Sequence, residues 1–213
     1  MRQNIKVIIA EDSNLIRTGI MKFLKRFPEF EVLGDCDDGE EAVALSLKIK
    51  PDLAVMDIKM QRMDGIDATR VIKRLLPEVR VLMLTSFSDD DEVFGAFGAG
   101  ADGYCLKGIT MEKLAIAMRA VADGASWLDP GIAERVLKHI NAKRPDRGMT
   151  NFSPALDDTS ELPPLEKEVL RLLVDGMDVR SISERLFLPR HEIDACLRQI
   201  FQKLAVPPAS FPT

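Results

Sequence analysis

Short apolar runs that end in polar residues alternate with helix-like patterns over the first 125 residues of this chain. Apolar runs at residues 7–10, 53–56, 81–84 and 104–106 are each followed by a carboxylate, a hydroxyl or an ammonium group. Runs of this length are typical of strands in a parallel sheet that is covered on both faces. Because the carboxyl ends of parallel strands share one edge, the polar residues that follow them are expected to meet there.

The intervals between these runs show the three-and-four spacing of amphipathic helices. Strands are predicted at residues 5–10, 30–35, 52–57, 80–85 and 102–106, and helices at 14–27, 38–49, 65–76, 89–99 and 110–123. Crossovers between parallel strands are right-handed, so the helices are distributed over both faces of one sheet. The pattern therefore predicts an α/β domain with a five-stranded, doubly wound parallel sheet.

The chain is expected to divide into a first domain at residues 1–125, a connecting part at 126–162 and a second domain at 163–213. The connecting part begins with a predicted helix at 129–142. It continues with Lys, Arg, Pro, Asp, Ser and Thr, a composition typical of a flexible linker. The last part shows three short helical patterns with a tight connection at 187–189, which predicts a small all-α helix-turn-helix domain.

Charge and composition exclude several classes of protein. The net charge of −5 arises within the first 162 residues, because residues 163–213 contain seven Lys/Arg and seven Asp/Glu. An acidic first domain suits a cation site and argues against a nucleic-acid surface there. No apolar stretch approaches the roughly 18 residues of a membrane span, and no secretory signal precedes the first strand pattern. Three scattered cysteines indicate reduced thiols in a cytoplasmic protein.

Five polar side chains are expected at the shared edge of the sheet: Glu11, Asp12, Asp57, Thr85 and Lys107. Carboxylates are the hard oxygen ligands that Mg²⁺ prefers, so Asp12 and Asp57 are expected to bind it directly and Glu11 directly or through water. A carboxylate accepts a phosphoryl group only when the developing negative charge is offset, here by the metal and Lys107. The Thr85 hydroxyl is placed to donate to the transferred group. The set therefore predicts Mg²⁺-dependent phosphorylation of Asp57.

The segments that carry these groups resemble the receiver domain of two-component response regulators. They are residues 11–13, 56–60 with 63–65, 85–86 and 104–107. The resemblance implies a flavodoxin-like receiver fold, phosphorylation of Asp57 by a histidine kinase, and a metal contact from the backbone carbonyl of Lys59. It also implies that Thr85 and Tyr104 form a switch pair. No enzyme activity is expected beyond self-phosphotransfer and autodephosphorylation.

Two neighbours of the acceptor are expected to set the lifetime of the phosphorylated state. Lys59 and Phe87 should flank the approach of water to the acyl phosphate. Because Phe87 is bulky and apolar, we expect that state to last minutes or longer. The charge of the phosphoryl group should reorder the fourth helix, the fifth strand and the fifth helix. The surface formed by these three elements is then expected to form a homodimer or to release the second domain.

Residues 162–206 resemble the LuxR-type helix-turn-helix of NarL/FixJ response regulators. The framework positions that carry the resemblance are 164, 166, 168–170, 176, 182, 186, 200 and 203–206. It implies an output domain that binds DNA and controls transcription. The DNA contacts are then expected from Arg190, Glu192, Asp194 and Arg198 on the recognition helix.

Departures from that family leave a second interpretation open. Glu192 and Asp194 stand where the family has a hydroxyl and an amine, and Cys196 stands where it has an imidazole. Exchanging Lys for Asp removes a phosphate contact and adds repulsion, although an acid accepts a hydrogen bond from cytosine. Three prolines between residues 207 and 212 also replace a fourth helix that pairs output domains. The alternative is the same phospho-switch acting on a protein partner.

Two enzyme or carrier classes share the fold of the first domain. A haloacid-dehalogenase-like phosphatase also forms an aspartyl phosphate, but it needs a second Asp two residues after the nucleophile, where Lys59 stands. A flavodoxin-type flavin carrier needs a hydroxyl-rich phosphate loop after the first strand. Glu11 and Asp12 at that position would repel the phosphate, so the response-regulator interpretation is preferred.

Overall fold

The computed structural model describes residues 4–86, 90–142 and 162–204 of the chain. Within them the strands are β1 (Ile5–Ala10), β2 (Phe30–Cys36), β3 (Leu53–Asp57), β4 (Arg80–Thr85), β5 (Gly103–Leu106) and β6 (Trp127–Leu128). The first six helices are α1 (Asn14–Leu24), α2 (Gly39–Ile49), α3 (Gly65–Leu75), α4 (Asp90–Gly98), α5 (Met111–Ala122) and α6 (Pro130–Ala142). The last three are α7 (Pro164–Val174), α8 (Val179–Leu186) and α9 (Arg190–Leu204).

The strands form one parallel sheet in the order β2-β1-β3-β4-β5-β6. The five predicted strands are confirmed, and each observed bound lies within one residue of the predicted one. The sheet has one more strand than predicted, because β6 pairs with β5 through Gly103–Trp127 and Tyr104–Leu128. A strand of two residues is too short to show a periodic pattern, so the sequence gives no signal for it.

Helices cover both faces of the sheet. Ile20 of α1 and Met118 of α5 belong to the core on one face, whereas Ala42 of α2 and Ile72 of α3 belong to the core on the other. All four side chains are at most 1% exposed. The doubly wound arrangement is therefore confirmed, and the carboxyl ends of the strands form a common edge, where sites in such folds lie.

Side-chain caps fix where five of the helices begin. Ser13, Asp38, Asp64, Thr110 and Asp178 each accept hydrogen bonds from backbone N–H groups in the first turn of the helix that follows. These N–H groups have no partner within their helix, so a capping oxygen stabilises the start of the helix by about 1 kcal/mol. Two of these caps, Ser13 and Asp64, lie within the segments that carry the predicted site.

The second domain is the predicted helix-turn-helix. Ile182 of α8 and Ile193, Leu197 and Ile200 of α9 are completely buried. Phe187 ends α8 in the left-handed region, with φ of 54°, and its N–H donates to the Ser183 carbonyl. This turn directs the chain into α9, the helix that corresponds to the predicted recognition helix.

β6 pairs with β5 and α6 also contacts β5, so residues 126–142 of the predicted connecting part are counted with the first domain. The two domains pack against each other through two pairs of helices, α6 with α7 and α4 with α9. Buried residues of both domains consequently belong to one continuous hydrophobic cluster. Residues 143–161 of the predicted linker and the prolines after residue 206 lie outside the described residues. Among the helices that are described, none is long and apolar enough to span a membrane.

Candidate phosphoacceptor site

The parallel register brings the predicted site residues to one edge of the sheet. Asp57 is the last residue of β3 and is level with Leu84 of β4. Thr85, the last residue of β4, is level with Leu106 of β5, and the Lys107 N–H donates to the Thr85 carbonyl at 2.7 Å. Glu11 follows β1, the other neighbour of β3. The edge predicted from the strand pattern is therefore the edge observed.

Three carboxylates at this edge form a group suited to a divalent cation. Glu11, Asp12 and Asp57 each offer an oxygen, and these oxygens lie within 4.8 Å of one another. Glu11 and Asp57 are buried, whereas Asp12 is exposed to solvent. The Glu11 Oε2 atom is buried and accepts no hydrogen bond from any described residue. An oxygen-only donor set with one open side and an unsatisfied buried oxygen fits Mg²⁺, which retains several waters.

Lys107 is the cation that the structure already holds among these acids. Its Nζ lies 2.8 Å from Asp57 Oδ2 and 3.0 Å from Glu11 Oε1. The Lys59 N–H donates to the other carboxylate oxygen of Asp57 at 3.4 Å, which orients the acceptor side chain. The predicted metal contact of the Lys59 carbonyl stays a prediction. Lys107 thus bridges the acceptor carboxylate and one of the expected metal ligands.

Burial is the largest single influence on the pKa of each of the three charged groups. It raises the pKa of Asp57 above its ordinary value, against the opposing effect of the Lys107 ammonium. Burial likewise raises the pKa of Glu11, again against the hydrogen bond from Lys107. For Lys107, burial lowers the pKa, but the bonds to Asp57 and Glu11 outweigh it and the net pKa is raised. Two buried carboxylates that share one ammonium group repel each other, and a bound divalent cation would reduce that repulsion.

Two further residues shape the site: Arg17, which no motif contained, and Gly65, which lies in the segment 63–65 that carries the resemblance. The Arg17 side chain donates to the Glu11 carbonyl at 2.5 Å and to Asp35 at 2.9 Å, which fixes the loop after β1. Gly65 lies so close to the acceptor strand that a Cβ there would be 1.8 Å from the Asp57 carbonyl oxygen. The Asp-Gly pair at 64–65 is a visible signal for the glycine, whereas a single Arg on a helix gives none.

The predicted switch residue Tyr104 lies between the two domains. It is 1% exposed, its hydroxyl donates to the Ala96 carbonyl at 2.8 Å, and burial raises its pKa well above the ordinary value. The ring makes edge-to-face contacts with Phe97 of α4 at 4.6 Å and with Phe201 of α9 at 5.0 Å. Phe97 and Phe201 are themselves stacked at 5.1 Å. We call Phe97, Tyr104 and Phe201 the aromatic cluster.

The other switch residue, Thr85, is 4% exposed at the same edge as Asp57. Its strand, β4, pairs directly with β5, which carries Tyr104. The sheet therefore links the acceptor edge to the aromatic cluster over two neighbouring strands. Phe87, which was expected to shield the acyl phosphate together with Lys59, lies outside the described residues, so its lifetime role stays a prediction.

The predicted DNA-contacting residues differ in their surroundings. Arg190, Glu192 and Arg198 are exposed on α9. Asp194 instead accepts a hydrogen bond from the Ser126 N–H of the first domain, at 3.0 Å. Burial raises the pKa of Asp194 above its ordinary value. In this arrangement one face of the recognition helix is therefore occupied by the first domain.

Comparison with known protein families identifies both domains. The family model for the response regulator receiver domain matches residues 7–119, and the model for bacterial regulatory proteins of the luxR family matches residues 160–208. The chain belongs to the response regulators. Transcriptional regulatory protein LiaR of Bacillus subtilis is 35% identical over 95% of this chain and 92% of its own length. Transcriptional regulatory protein DegU of Brevibacillus brevis is 32% identical over 95% of this chain and 88% of its own length.

Solved structures of response regulators also resemble this one. A two-component response regulator of the LuxR family from an Aurantimonas species has 28% identity and a TM-score of 0.60, over 64% of this chain and 98% of that chain. The RcsB response regulator of Salmonella typhimurium has 26% identity and a TM-score of 0.58, over 97% of this chain and 95% of that chain. The protein is thus a two-component response regulator with a helix-turn-helix DNA-binding domain that controls transcription. This result favours DNA over the alternative of a protein-only target.

Proposed function

We propose that Asp57 accepts a phosphoryl group from a histidine kinase or from a small acyl-phosphate donor, and that this event controls DNA binding by α9. The observation that carries the proposal is the buried Asp57 carboxylate, with Lys107 Nζ at 2.8 Å and the carboxylates of Glu11 and Asp12 beside it. A carboxylate held next to one ammonium and a cation-binding pair is suited to receive an anionic group.

The transfer is a direct displacement at phosphorus. A carboxylate oxygen of Asp57 forms the new bond, and the bond between phosphorus and the donor nitrogen or oxygen breaks, with the electron pair leaving on the donor. Glu11, Asp12 and Asp57 would hold Mg²⁺, which would supply positive charge to offset the charge of the transferred group. The Lys107 ammonium, 2.8 Å from Asp57, supplies further positive charge to the same group. In autodephosphorylation, water attacks the phosphorus, the bond between phosphorus and the Asp57 oxygen breaks, inorganic phosphate leaves, and the carboxylate is restored.

The phosphoryl group changes the balance of contacts at the edge of the sheet. It adds a charge of about −1.5 to −2 and strong acceptor oxygens next to Lys107 and Thr85. We expect Thr85 to donate to the new group and to move β4, and with it the neighbouring β5 that carries Tyr104. Taking a two-state equilibrium from 1:99 to 99:1 requires about 5.5 kcal/mol of differential stabilisation.

The aromatic cluster is the element that this movement reaches. Phe201 of α9 is 4% exposed because it packs on Phe97 and Tyr104 of the receiver. A shift of β5 and α4 therefore disturbs the contact that holds the recognition helix. In the arrangement observed here, which we call docked, Asp194 accepts a hydrogen bond from the Ser126 N–H. Release of α9 from the first domain breaks this bond and exposes Asp194. We expect docking to weaken DNA binding by covering the face of α9 that carries Asp194, while Arg190 and Arg198 stay exposed, and phosphorylation to remove that cover.

A homodimer on DNA completes the proposal. A solved structure related to this chain is described as two RcsB dimers bound to two parallel DNAs, with 26% identity and a TM-score of 0.59 over 97% of this chain. A single recognition helix reads one half-site, and a dimer reads two. The exposed Arg190 and Arg198 are then available for phosphate contacts.

Selection from random DNA duplexes tests the proposal as a whole. Protein treated with acetyl phosphate and Mg²⁺ should be labelled at Asp57 and should enrich a defined sequence. Asp57→Asn should show neither response. Asp67→Asn, which changes an exposed aspartate on nearby α3, serves as the matched control and should behave as wild type. Equal labelling of Asp57→Asn and wild type, or phosphorylated protein that enriches no sequence, would overturn the proposal.

A further inference from the structure

A cavity of about 480 Å³ lies between the two domains, and its lining includes Leu106 and Gly108, the two neighbours of Lys107 in the chain. Its receiver side comes from the start of α5 and from β6, and its output side from α7 and the turn into α8. The main apolar side chains that line it are Ile109, Ile116, Trp127, Leu173, Met177 and Val179. The volume lies within the roughly 300–1,000 Å³ of cavities that hold small molecules, which are mostly apolar with a few polar groups.

The ionisable side chains that line this cavity carry more negative than positive charge. Two carboxylates, Asp129 and Asp178, line it together with one ammonium group, Lys113. Asp129 caps α6 by accepting a hydrogen bond from the Gly131 N–H at 2.9 Å. Asp178 caps α8 in the same way from the Ser181 N–H at 2.7 Å. Asp129 also accepts a hydrogen bond from the Leu106 N–H. Each carboxylate still offers more acceptor sites than these bonds use, so the lining favours a cationic hydrogen-bond donor.

Asp129 is the better placed of the two carboxylates to bind such a donor. It is partly buried, and that burial raises its pKa, against hydrogen bonds from the Gly131 and Leu106 N–H groups and a smaller opposing effect of the Lys113 charge. Asp178 is exposed at the rim of the cavity. A carboxylate that is partly withdrawn from water gains more from a bound cation than an exposed one does.

We propose that this cavity binds a compact apolar molecule that carries a protonated amine, with the apolar body against Trp127 and Leu173 and the amine at Asp129. Such a molecule contacts both domains at once. Its binding therefore favours the docked arrangement over the released one, by linkage. This consequence for the switch rests on the function proposed above, whereas the binding itself does not.

Trp127 makes the binding directly measurable, because it is the single tryptophan of the chain. Three probes share one bulky, non-fluorescent body and differ only in the polar group: adamantylmethylamine, adamantylmethanol and adamantanecarboxylate. Titration into the full-length protein should change Trp127 emission in a saturable way, with the amine binding most tightly and the carboxylate least. Equilibrium dialysis of the amine provides the same affinity without relying on fluorescence.

Substitution of Asp129 tests the assigned contact. Asp129→Asn should weaken binding of the amine about tenfold and leave the alcohol unchanged, since Asn retains the helix cap. Asp123→Asn changes an exposed aspartate close by in the chain that does not line the cavity, and should bind both probes as wild type does. Absence of saturable binding in both assays, equal affinity for amine and carboxylate, or an unaffected Asp129→Asn would overturn the proposal.

The regulatory consequence has its own measurement. Adamantylmethylamine at saturation should reduce the DNA affinity of the phosphorylated protein and have less effect on Asp129→Asn. If the amine binds but does not change DNA affinity, the link to the domain arrangement is wrong. If phosphorylation without any probe fails to change DNA affinity, the proposed function fails while the result of the fluorescence titration stands.

Discussion

Replacing Phe201 by Ala should release the recognition helix without any phosphoryl group. The Phe201 ring is stacked on Phe97 with an interplanar angle of 7° and meets Tyr104 edge-to-face at 73°. These two contacts join α9 to the receiver, and both disappear in Phe201→Ala. The unphosphorylated variant should therefore populate the released arrangement and bind DNA more tightly than unphosphorylated wild type.

The size of the effect follows from the two ring contacts. Each aromatic pair contributes about 0.5–1.5 kcal/mol beyond area burial, so the two together contribute about 1–3 kcal/mol to docking. At about 1.4 kcal/mol per factor of ten, the docking equilibrium should shift about 5- to 150-fold towards release. The full cost of Phe→Ala at a buried site, about 3–5 kcal/mol, sets the upper bound.

Small-angle X-ray scattering and DNA binding of unphosphorylated protein measure this release. Phe97→Ala should reproduce the effect from the receiver side, and the double variant should show less than the sum of the two, because the pair is lost only once. Gln202→Ala, at an exposed neighbouring position on α9, is the matched control. The reasoning is refuted if Phe201→Ala and Phe97→Ala both remain folded and keep the scattering profile and DNA affinity of wild type.

Three further predictions concern charged groups. In metal-free buffer, Asp57→Asn should raise the free energy of unfolding, because burial disfavours the Asp57 charge. A lower free energy of unfolding in urea denaturation would contradict this. Lys203→Met should destabilise the protein by about 3 kcal/mol, because it leaves the Glu166 carboxylate, which is 3% exposed, without its Lys203 partner at 2.5 Å. Glu166→Gln should destabilise the protein less, because it leaves no unpaired buried charge. Thermal unfolding that ranks the two variants in the opposite order would refute this prediction. Burial raises the pKa of Asp194 in the docked state, so protonation of Asp194 favours docking. Docking should therefore strengthen as pH falls towards the ordinary carboxyl range and weaken as pH rises through the raised pKa. Small-angle scattering over a pH series should show this trend in wild type but not in Asp194→Asn.

The acceptor edge could be predicted from sequence because local periodicity determines it. Each apolar run fixes where a strand ends, and parallel strands place those ends together. Glu11, Asp57, Thr85 and Lys107 therefore reach one edge whatever the details of packing. The short strand β6 lacks that periodicity, and its pairing with β5 depends on the position of the connecting segment rather than on its own two residues.

The contacts between the domains could not be predicted for a different reason. Asp194 pairs with the backbone N–H of Ser126, a group that every residue except proline carries, so no side-chain pattern announces it. Phe201 gave a weak signal. It lies beside Ile200 and widens the apolar stripe of α9 beyond what the core of a three-helix domain needs, which indicates a second covered surface. The aromatic partner of that surface becomes visible only in three dimensions.

Intact-protein mass spectrometry after treatment with acetyl phosphate measures whether Asp57 becomes phosphorylated. In the presence of Mg²⁺ the protein should gain a single phosphoryl group of about 80 Da, with the modified peptide containing Asp57. Chelation of Mg²⁺ or the Asp57→Asn substitution should abolish the gain. A protein that never gains this mass, or that gains it equally after substitution of Asp57, would contradict the account.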